Sequence, residues 1–269
     1  MKEKSVPTET DWTLDSIRRF WNYHGQKPQV DSEYFSFQVG DALLNLLRRG
    51  SAFSKQWTVL DFGCGPGFLL ERFLAVGNKC YGFDFSNGTV DRVNSKFSTH
   101  PNWSGAVSSS SLPISYDQNF FDLVTCMETL EHLLDDMLPA TLNEIHRLLK
   151  PHGIAFFTTP ANEELSASHV YCPFCDHEFH KIQHVRSFTQ KDISDLLSAH
   201  GFKVIYCEAI DLFELQKNKK VTKHNVARSV KYYMNRFLDV VNPIAAQDPR
   251  YRVPRCSTGP NLCVVAEKV

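Results

Sequence analysis

Val59-Leu60-Asp61-Phe62-Gly63-Cys64-Gly65-Pro66-Gly67 is the stretch of sequence that decides the fold. A strand-like apolar run ends in a loop with three glycines, and the helix-like run FLLERFLAV follows at residues 68–76. Glycines at such a turn let the backbone approach a ligand closely, and the free amides of the helix start face that ligand. A dinucleotide fingerprint has its third glycine three positions after its second, whereas Gly67 follows Gly65 by two. The loop therefore predicts a ligand site, and Asp61 favours a ligand with an ammonium group over a pyrophosphate.

Strand-like and helix-like segments alternate from residue 57 onward. Strands are indicated by WTVLDFG (57–63), KCYGFDF (79–85), FFDLVTCME (120–128), GIAFFTTP (153–160), FKVIYCE (202–208) and NLCVVAEKV (261–269). Helices are indicated at 13–24, 31–49, 68–77, 87–98, 137–150 and 189–201. For the helix at 31–49, Asp31 is the expected cap and Gly50 the stop signal. This alternation predicts an α/β fold in which a mostly parallel sheet is covered by helices on both faces.

The composition is that of a globular protein. The chain has 269 residues, of which 42% are hydrophobic and 22% charged, and 29 Lys+Arg against 30 Asp+Glu give a formal net charge of −1. These values exclude disordered and fibrous classes, and no apolar run approaches the roughly 20 residues needed to cross a bilayer. The N-terminal MKEKSVPTETDW lacks the apolar core of a secretion signal, and eight cysteines are too few for a disulfide scaffold. We therefore expect a cytoplasmic protein, with Cys80, Cys126, Cys207 and Cys263 acting as small buried hydrophobes.

The next strand-like segment ends at Gly82-Phe83-Asp84-Phe85, which brings Asp84 beside the glycine loop in a parallel sheet. A carboxylate at this point can accept hydrogen bonds from two ribose hydroxyls. With this combination the chain resembles the class I S-adenosylmethionine-dependent methyltransferases over about residues 55–211 and again over 261–269. The resemblance implies S-adenosylmethionine as the cofactor and a Rossmann-like sheet of seven strands with an antiparallel C-terminal strand. The cofactor-binding residues that it implies are Asp61, Phe62, Gly63, Cys64, Gly65, Asp84, Phe85, Ser108, Ser109 and Met127.

Ser108 marks a departure from that family. Relatives often carry an acidic residue after the third strand, where it reaches the adenine amino group, and Ser108 stands at the matching place in Val107-Ser108-Ser109-Ser110-Ser111. Adenine recognition in this chain is therefore expected to use a hydroxyl or the main chain.

The fourth strand leads into a run of carboxylates and an imidazole, FDLVTCMETLEH at 121–132. This run looks like its counterpart in the O-methyltransferases of ubiquinone biosynthesis. The resemblance implies that Met127 contacts the adenosyl group and that Glu128, Glu131 and His132 hold a divalent cation such as magnesium. A helix that began near Glu128 would stack these three side chains on one face. In the alternative interpretation the cluster is metal-free and shapes the substrate pocket. In either case His132 is the first candidate for a general base, with Glu128 and His184 as further catalytic candidates.

Residues 161–187 interrupt the alternation with a segment rich in cysteine and histidine. Cys172, Cys175, His180 and His184 follow the spacing C-x2-C-x4-H-x3-H, whose thiolate and imidazole donors suit tetrahedral zinc. The loop between the two pairs is much shorter than in a zinc finger, so the pattern predicts a compact structural knuckle at most. Two alternatives stay open: His184 lines the active site, or the thiols are reduced and metal-free.

A second interruption, residues 212–256, is basic. Residues 215–256 carry ten Lys or Arg and two Asp, a charge of +8 that leaves −9 for the rest of the chain. Apolar residues at helical spacing between His224 and Val241 predict an amphipathic helix with a basic outer face. The resemblance gives this insert the role of a substrate lid, with a solvated surface helix as the alternative.

The chain thus divides into three predicted parts. Residues 1–54 form N-terminal helices on the substrate side, which carry the aromatic residues Trp12, Phe20, Trp21, Tyr34 and Phe35. Residues 55–211 and 257–269 form the methyltransferase core with its insertion at 161–187, and residues 212–256 form the basic insert.

The leading functional hypothesis is S-adenosylmethionine-dependent methylation of a small molecule at oxygen. The basic insert indicates an anionic acceptor, such as a phosphorylated, nucleotide-linked or carrier-bound compound. The alternative is RNA or protein methylation with that insert as the binding element. The near-neutral chain and the lack of a recognisable RNA-binding module argue against nucleic acid. The intact glycine loop and Asp84 argue against a pseudoenzyme, and nothing in the sequence indicates an oligomeric state.

Overall fold

A seven-stranded sheet forms the centre of the molecule and confirms the predicted α/β fold. The computed structural model describes residues 8–9, 11–50, 53–217, 244–245, 252–253 and 259–269. Its strands are β1 (Thr8–Glu9), β2 (Thr58–Phe62), β3 (Lys79–Asp84), β4 (Trp103–Ser108), β5 (Phe121–Met127), β6 (Leu149–Pro160), β7 (His169–Cys172), β8 (His177–His180), β9 (Phe202–Ile210), β10 (Ile244–Ala245), β11 (Arg252–Val253) and β12 (Asn261–Lys268). Its α-helices are α1 (Leu14–Gly25), α2 (Phe35–Gly50), α3 (Phe68–Val76), α4 (Asn87–Phe97), α5 (Met137–Leu148), α6 (Gln190–Ala199) and α7 (Leu212–Lys217). The large sheet has the order β4-β3-β2-β5-β6-β12-β9, in which β12 runs antiparallel to both neighbours, as predicted.

Both faces of this sheet are covered, because successive residues of each strand point to opposite sides. Val59 and Leu123 belong to a cluster with α2, α3 and α4, whereas Leu60 and Val124 pack with α5 and α6. A fully buried side chain such as Phe73 on α3 stabilises the fold by about 1.5–3 kcal/mol, since its apolar surface leaves water. The free thiols that the core buries, as predicted, are Cys80, Cys126 and Cys263, with Cys207 partly buried.

Two helices precede the sheet, but the second begins later than predicted. Thr13 caps α1, because its hydroxyl accepts a hydrogen bond from the Ser16 amide. Residues Pro28–Glu33 form a 3₁₀ turn, and α2 begins at Phe35. Asp31 is therefore not the cap of α2. It forms an ion pair with Arg92 on α4, which ties the N-terminal segment to the core.

The insertion at 161–187 contains an antiparallel hairpin of β7 and β8, with β1 added at the edge parallel to β8. Its two ends meet, because the Asn162 amide donates a hydrogen bond to the Phe188 carbonyl over 3.0 Å. The Val185 amide donates to the Glu131 carbonyl over 2.9 Å. The end of the insertion is thereby fixed beside the segment that follows β5.

The basic insert is described only at α7 and at the short antiparallel pair β10 and β11. The amphipathic helix predicted between His224 and Val241 lies outside the described residues. In the part of the chain that the structure describes, no helix combines the length and the apolar character needed to cross a membrane.

Candidate active site

A cavity of about 510 Å³ opens where β2, β3, β5 and β6 end at their carboxyl termini. This edge is where ligands bind in open α/β sheets. One end of the cavity is lined by the glycine loop and Asp84, and the other by Glu128, His132 and His184. Helix α1 and the start of α2 provide a further wall. The three predicted catalytic residues therefore share one cavity with the predicted cofactor loop.

The loop after β2 depends on left-handed backbone at its glycines. The φ angle is 79° at Gly63, 49° at Gly65 and 77° at Gly67, a region that side chains disfavour. The Gly65 amide donates to Oδ2 of Asp84 over 3.0 Å, and the Ser86 amide donates to Oδ1 over 2.9 Å. These two bonds hold the Asp84 carboxylate beside the loop, as predicted from the parallel register.

A buried carboxylate, Asp61, and a partly buried one, Asp84, make this end of the cavity suited to positive charge. Burial raises the pKa of Asp84 from 3.8 to about 6, although its two backbone hydrogen bonds oppose the shift. Burial also raises the pKa of Asp61 to about 7, with a smaller contribution from the neighbouring Asp84. Thr125 Oγ1 donates to Asp61 Oδ1 over 2.7 Å. A ligand that carries a cationic group would favour the ionised form of both carboxylates.

The structure places most, but not all, of the predicted cofactor-binding residues at the cavity. Those that line it are Gly63, Cys64, Gly65, Asp84, Phe85 and Met127. Phe62 is wrong as a lining side chain, because it is fully buried against Phe83 with 4.6 Å between the ring centroids. Ser108 pairs with Asp84 at the end of the β3 and β4 ladder, but Ser110 is the serine of this run that lines the cavity. Asp61 lies beneath the loop, and neither Asp61 nor Ser109 is among the lining residues.

Aromatic residues of the N-terminal segment cover the cavity. Phe20, Trp21, Tyr34 and Phe35 all line it. The indole N–H of Trp21 donates to Gln183 Oε1 over 2.8 Å, and the Trp21 ring centroid lies 4.8 Å from that of His132. Helix α1, the end of the insertion and the segment after β5 therefore meet at one point. Gln183 gave no signal in the sequence, because an isolated glutamine fits no ligand or catalytic pattern.

The segment after β5 does not form the helix that the sequence predicted from Glu128. β5 ends at Met127, Glu128 has a left-handed φ of 44°, and a single 3₁₀ turn covers Leu130–His132. Glu128 is consequently not stacked with Glu131 and His132. The partner that joins those two residues is His184, since Glu131 Oε1 lies 3.9 Å from Nε2 of both His132 and His184.

Both imidazoles of this group are neutral near pH 7. Burial is the main cause that lowers the pKa of His132, and likewise that of His184, to about 3. Nδ1 of His132 lies 3.2 Å from the Gln183 carbonyl, and Nδ1 of His184 lies 2.5 Å from Glu163 Oε2. In a neutral imidazole the nitrogen that faces an acceptor carries the proton. Both rings therefore carry their proton on Nδ1, and the unprotonated Nε2 of each lies 3.9 Å from Glu131 Oε1.

The predicted zinc ligands Cys172, Cys175, His180 and His184 are not brought together. In the hairpin Cys172 pairs with His177 near the turn, whereas His180 pairs with His169 at the opposite end. Among the described residues, metal-binding side chains converge in two groups, Glu131-His132-His184 and Glu163-His180-His184, and neither includes a cysteine. The register of the hairpin separates the cysteine pair from the histidine pair, and the spacing in the sequence does not reveal this register.

Comparison with known proteins gives the family. A family model described as Methyltransferase domain matches residues 17–206. The chain belongs to this methyltransferase family. The methyltransferase is 30% identical over 157 residues to a ubiquinone biosynthesis O-methyltransferase from Aliivibrio fischeri (strain ATCC 700601 / ES114), a match over 57% of this chain and 62% of the relative. A protein of the same name from Hydrogenovibrio crunogenus is 35% identical over 107 residues, which cover 38% of this chain and 42% of that one. The chain thus spans less than two thirds of the length of these curated relatives.

Solved structures share the fold of the methyltransferase at low sequence identity. A SAM dependent methyltransferase from Aquifex aeolicus superposes with a TM-score of 0.54 at 15% identity, over 96% of this chain and all of that one. The 1,6-didemethyltoxoflavin-N1-methyltransferase of Burkholderia thailandensis gives a TM-score of 0.59 at 16% identity, over 98% of this chain and 94% of that one. The predicted Rossmann-like methyltransferase fold is confirmed.

Proposed function

We propose that this methyltransferase transfers the methyl group of S-adenosylmethionine to an oxygen atom of a small-molecule acceptor. The observation that carries the proposal is the single cavity that joins the glycine loop and Asp84 to Glu128, His132 and His184. The names of the curated relatives, O-methyltransferases of ubiquinone biosynthesis, support oxygen as the methylated atom.

The glycine-loop end of the cavity fits the cofactor. Asp84 would accept hydrogen bonds from the ribose hydroxyls, and the backbone of Gly63 to Gly65 would contact the amino-acid part. The negative charge of Asp61 and Asp84 suits the ammonium and sulfonium groups. When bound, S-adenosylmethionine supplies a methyl group already activated by the sulfonium, so the protein mainly aligns the acceptor and excludes water. Trp21 and Tyr34 cover the cavity and serve that purpose.

A hydroxyl acceptor must also lose a proton, and Glu128 is better suited to take it than His132. Burial raises the pKa of Glu128 to about 8, so its ionised form is a stronger base than a solvated carboxylate and becomes the larger fraction above that pH. Oε1 of Glu128 has no hydrogen-bond partner, and the residue lines the cavity. With a pKa of about 3, the His132 imidazole is a weak base at neutral pH.

The acceptor is proposed to be anionic. Arg18 on α1 lines the cavity and is exposed. The residues on either side of the charged part of the basic insert line the cavity. They are Phe213 before it and Pro260 and Asn261 after it. The insert therefore leaves and rejoins the described fold at the cavity wall. A phosphorylated, nucleotide-linked or carrier-bound acceptor would meet positive charge there.

The test is product identification with S-adenosylmethionine that is ¹³C-labelled at the methyl group. Phenols, hydroxy acids, sugar nucleotides and carrier-bound acids are screened, and the methylated atom is assigned by NMR. We expect a methoxy product. Glu128→Gln should lower kcat by about 10²- to 10⁴-fold and leave S-adenosylhomocysteine affinity unchanged, while the exposed Glu164→Gln serves as the matched control. Label found only on nitrogen, RNA or protein contradicts the proposal, and an unchanged kcat for Glu128→Gln contradicts the role of that carboxylate.

A further inference from the structure

Glu131, His132 and His184 converge at the acceptor end of the cavity, and their hydrogen bonds leave one buried carboxylate oxygen without a partner. One ligand atom from each of Glu131, His132 and His184 lies within 4.8 Å of the others. Glu131 is fully buried, and its Oε1 has no hydrogen-bond partner, whereas its Oε2 accepts a hydrogen bond from Thr159 over 3.0 Å. A buried carboxylate oxygen without a partner is costly, so a missing ligand is the simplest explanation.

The outer nitrogens of the two imidazoles are already engaged. His132 presents Nδ1 to the Gln183 carbonyl at 3.2 Å, and His184 presents Nδ1 to Glu163 Oε2 at 2.5 Å. Metal-bound histidines characteristically donate their other N–H to a carbonyl or a carboxylate, which fixes the tautomer and the ring orientation. The unprotonated Nε2 atoms of both rings lie 3.9 Å from the unpartnered oxygen of Glu131.

His180 belongs to the second converging group, Glu163-His180-His184, which does not include Glu131 and its unpartnered oxygen. Its Nδ1 accepts a hydrogen bond from the His184 amide over 3.0 Å, so the proton of the neutral ring is on Nε2. That Nε2 lies 3.3 Å from Glu163 Oε1, and the His180 ring stacks on His184 with 4.5 Å between centroids. His180 thus packs beside Glu163 and His184, and Glu163 orients His184 through its bond to Nδ1.

We propose that Glu131, His132 and His184 form a metal site for a divalent transition-metal ion, in which the insertion supplies the third ligand. Two imidazoles and one carboxylate suit Zn²⁺, Mn²⁺ or Fe²⁺ better than Mg²⁺, which prefers oxygen ligands. The site differs from the set Glu128, Glu131 and His132 that the resemblance implied, because His184 replaces Glu128. Glu163 and Gln183 are positioning residues. Binding of the ion does not depend on the proposed O-methylation, so the two can fail separately.

The test is a titration of metal-free protein with Co²⁺, followed by its visible absorption, in a Cys172→Ser/Cys175→Ser background that removes the exposed thiols. We expect one ion per chain. His184→Asn and Glu131→Gln should each weaken binding by at least about 100-fold, and Glu163→Gln by about 10- to 100-fold. Glu128→Gln tests the alternative ligand set and should keep the ion. The exposed Glu164→Gln is the matched control and should leave the absorption spectrum and the affinity unchanged.

S-adenosylhomocysteine binding and circular dichroism establish that each variant is folded, and elemental analysis of the purified protein identifies the resident metal. The proposal is overturned if folded protein with Glu131, His132 and His184 intact binds no Co²⁺ in the titration. It is also overturned if folded His184→Asn binds Co²⁺ like the parent, or if Glu128→Gln loses the ion.

Discussion

The Gly65 amide holds Asp84 against the glycine loop. Under the proposed function, protonation of this carboxylate should control cofactor affinity. Burial raises its pKa to about 6 and that of Asp61 to about 7, so both carboxyls take up protons as the pH falls toward 5. We expect S-adenosylhomocysteine affinity, measured by calorimetry, to fall roughly 10-fold between pH 7 and pH 5 where binding requires only Asp84 to be ionised, because a carboxyl with a pKa of about 6 changes from mostly ionised to mostly protonated over this range. Asp84→Asn should bind about 10- to 100-fold more weakly at pH 7.5 and show a shallower pH profile.

The stability of the ligand-free protein should respond to pH in the opposite direction from ligand affinity. Since both pKa values are raised in the folded state, the folded protein binds these protons more tightly than the unfolded chain, and their contribution to stability decreases as pH rises from about 4 to 7. The increase in Tm on ligand binding should therefore be larger at pH 8 than at pH 5. Asp122→Asn is the control and should leave the pH dependence of S-adenosylhomocysteine affinity unchanged. Asp122 lies at the other end of the strands from the cavity, where it accepts a hydrogen bond from the Thr58 amide and pairs with Lys150. A pH-independent affinity in the wild type would contradict the assignment of Asp84.

At the scale of elements, the position of α1 depends on a close contact between Gly25 and α4. A Cβ atom at Gly25 would lie 2.2 Å from Oγ1 of the buried Thr89. Gly25→Ala should therefore destabilise the protein by about 1–3 kcal/mol in urea unfolding through overpacking. In a Thr89→Ala background the same substitution should cost less than about 0.5 kcal/mol, because the clash is gone. If the two substitutions change the free energy of unfolding additively, the contact between Gly25 and Thr89 does not determine the position of α1.

The elements themselves could be predicted from sequence far better than the site. Patterns of apolar residues and glycine stops marked six strands of the large sheet, since each pattern reflects burial of that segment alone, but they did not mark β4. The set Glu128, Glu131 and His132 failed because a left-handed Glu128 breaks the expected helix, and no pattern of side chains reports that angle. The set with Cys172 failed because strand pairing places His180 at the other end of the hairpin. Contacts between distant segments decide both cases, and such contacts leave no local periodicity.

For the whole molecule, the net charge of −1 is the sum of a +8 segment at 215–256 and a remainder of −9. The cavity walls at Phe213 and Asn261 flank that segment in the chain. Removing positive charge from residues 215–256 should therefore weaken binding of an anionic acceptor more than removing the same charge elsewhere. Lys219→Gln/Lys220→Gln/Lys223→Gln should raise KM for the acceptor by roughly 10-fold and change kcat by less than about 2-fold. Lys55→Gln/Lys79→Gln/Lys191→Gln removes the same charge outside the segment and should leave KM unchanged.

The same charge separation distinguishes a small anion from a nucleic acid. A protein that follows single-stranded RNA through Z phosphate contacts loses affinity with a slope of about −0.7Z in log salt. If the acceptor is small, fluorescence anisotropy with generic RNA should show weak binding at low salt, and the triple variant in the segment should not change which molecule is methylated. Tight RNA binding with a steep salt slope, together with methyl label on the RNA, would instead make the basic segment a macromolecule-binding element. The charge would then serve phosphate contacts along a chain, because a cavity of about 510 Å³ admits only a small part of such a substrate.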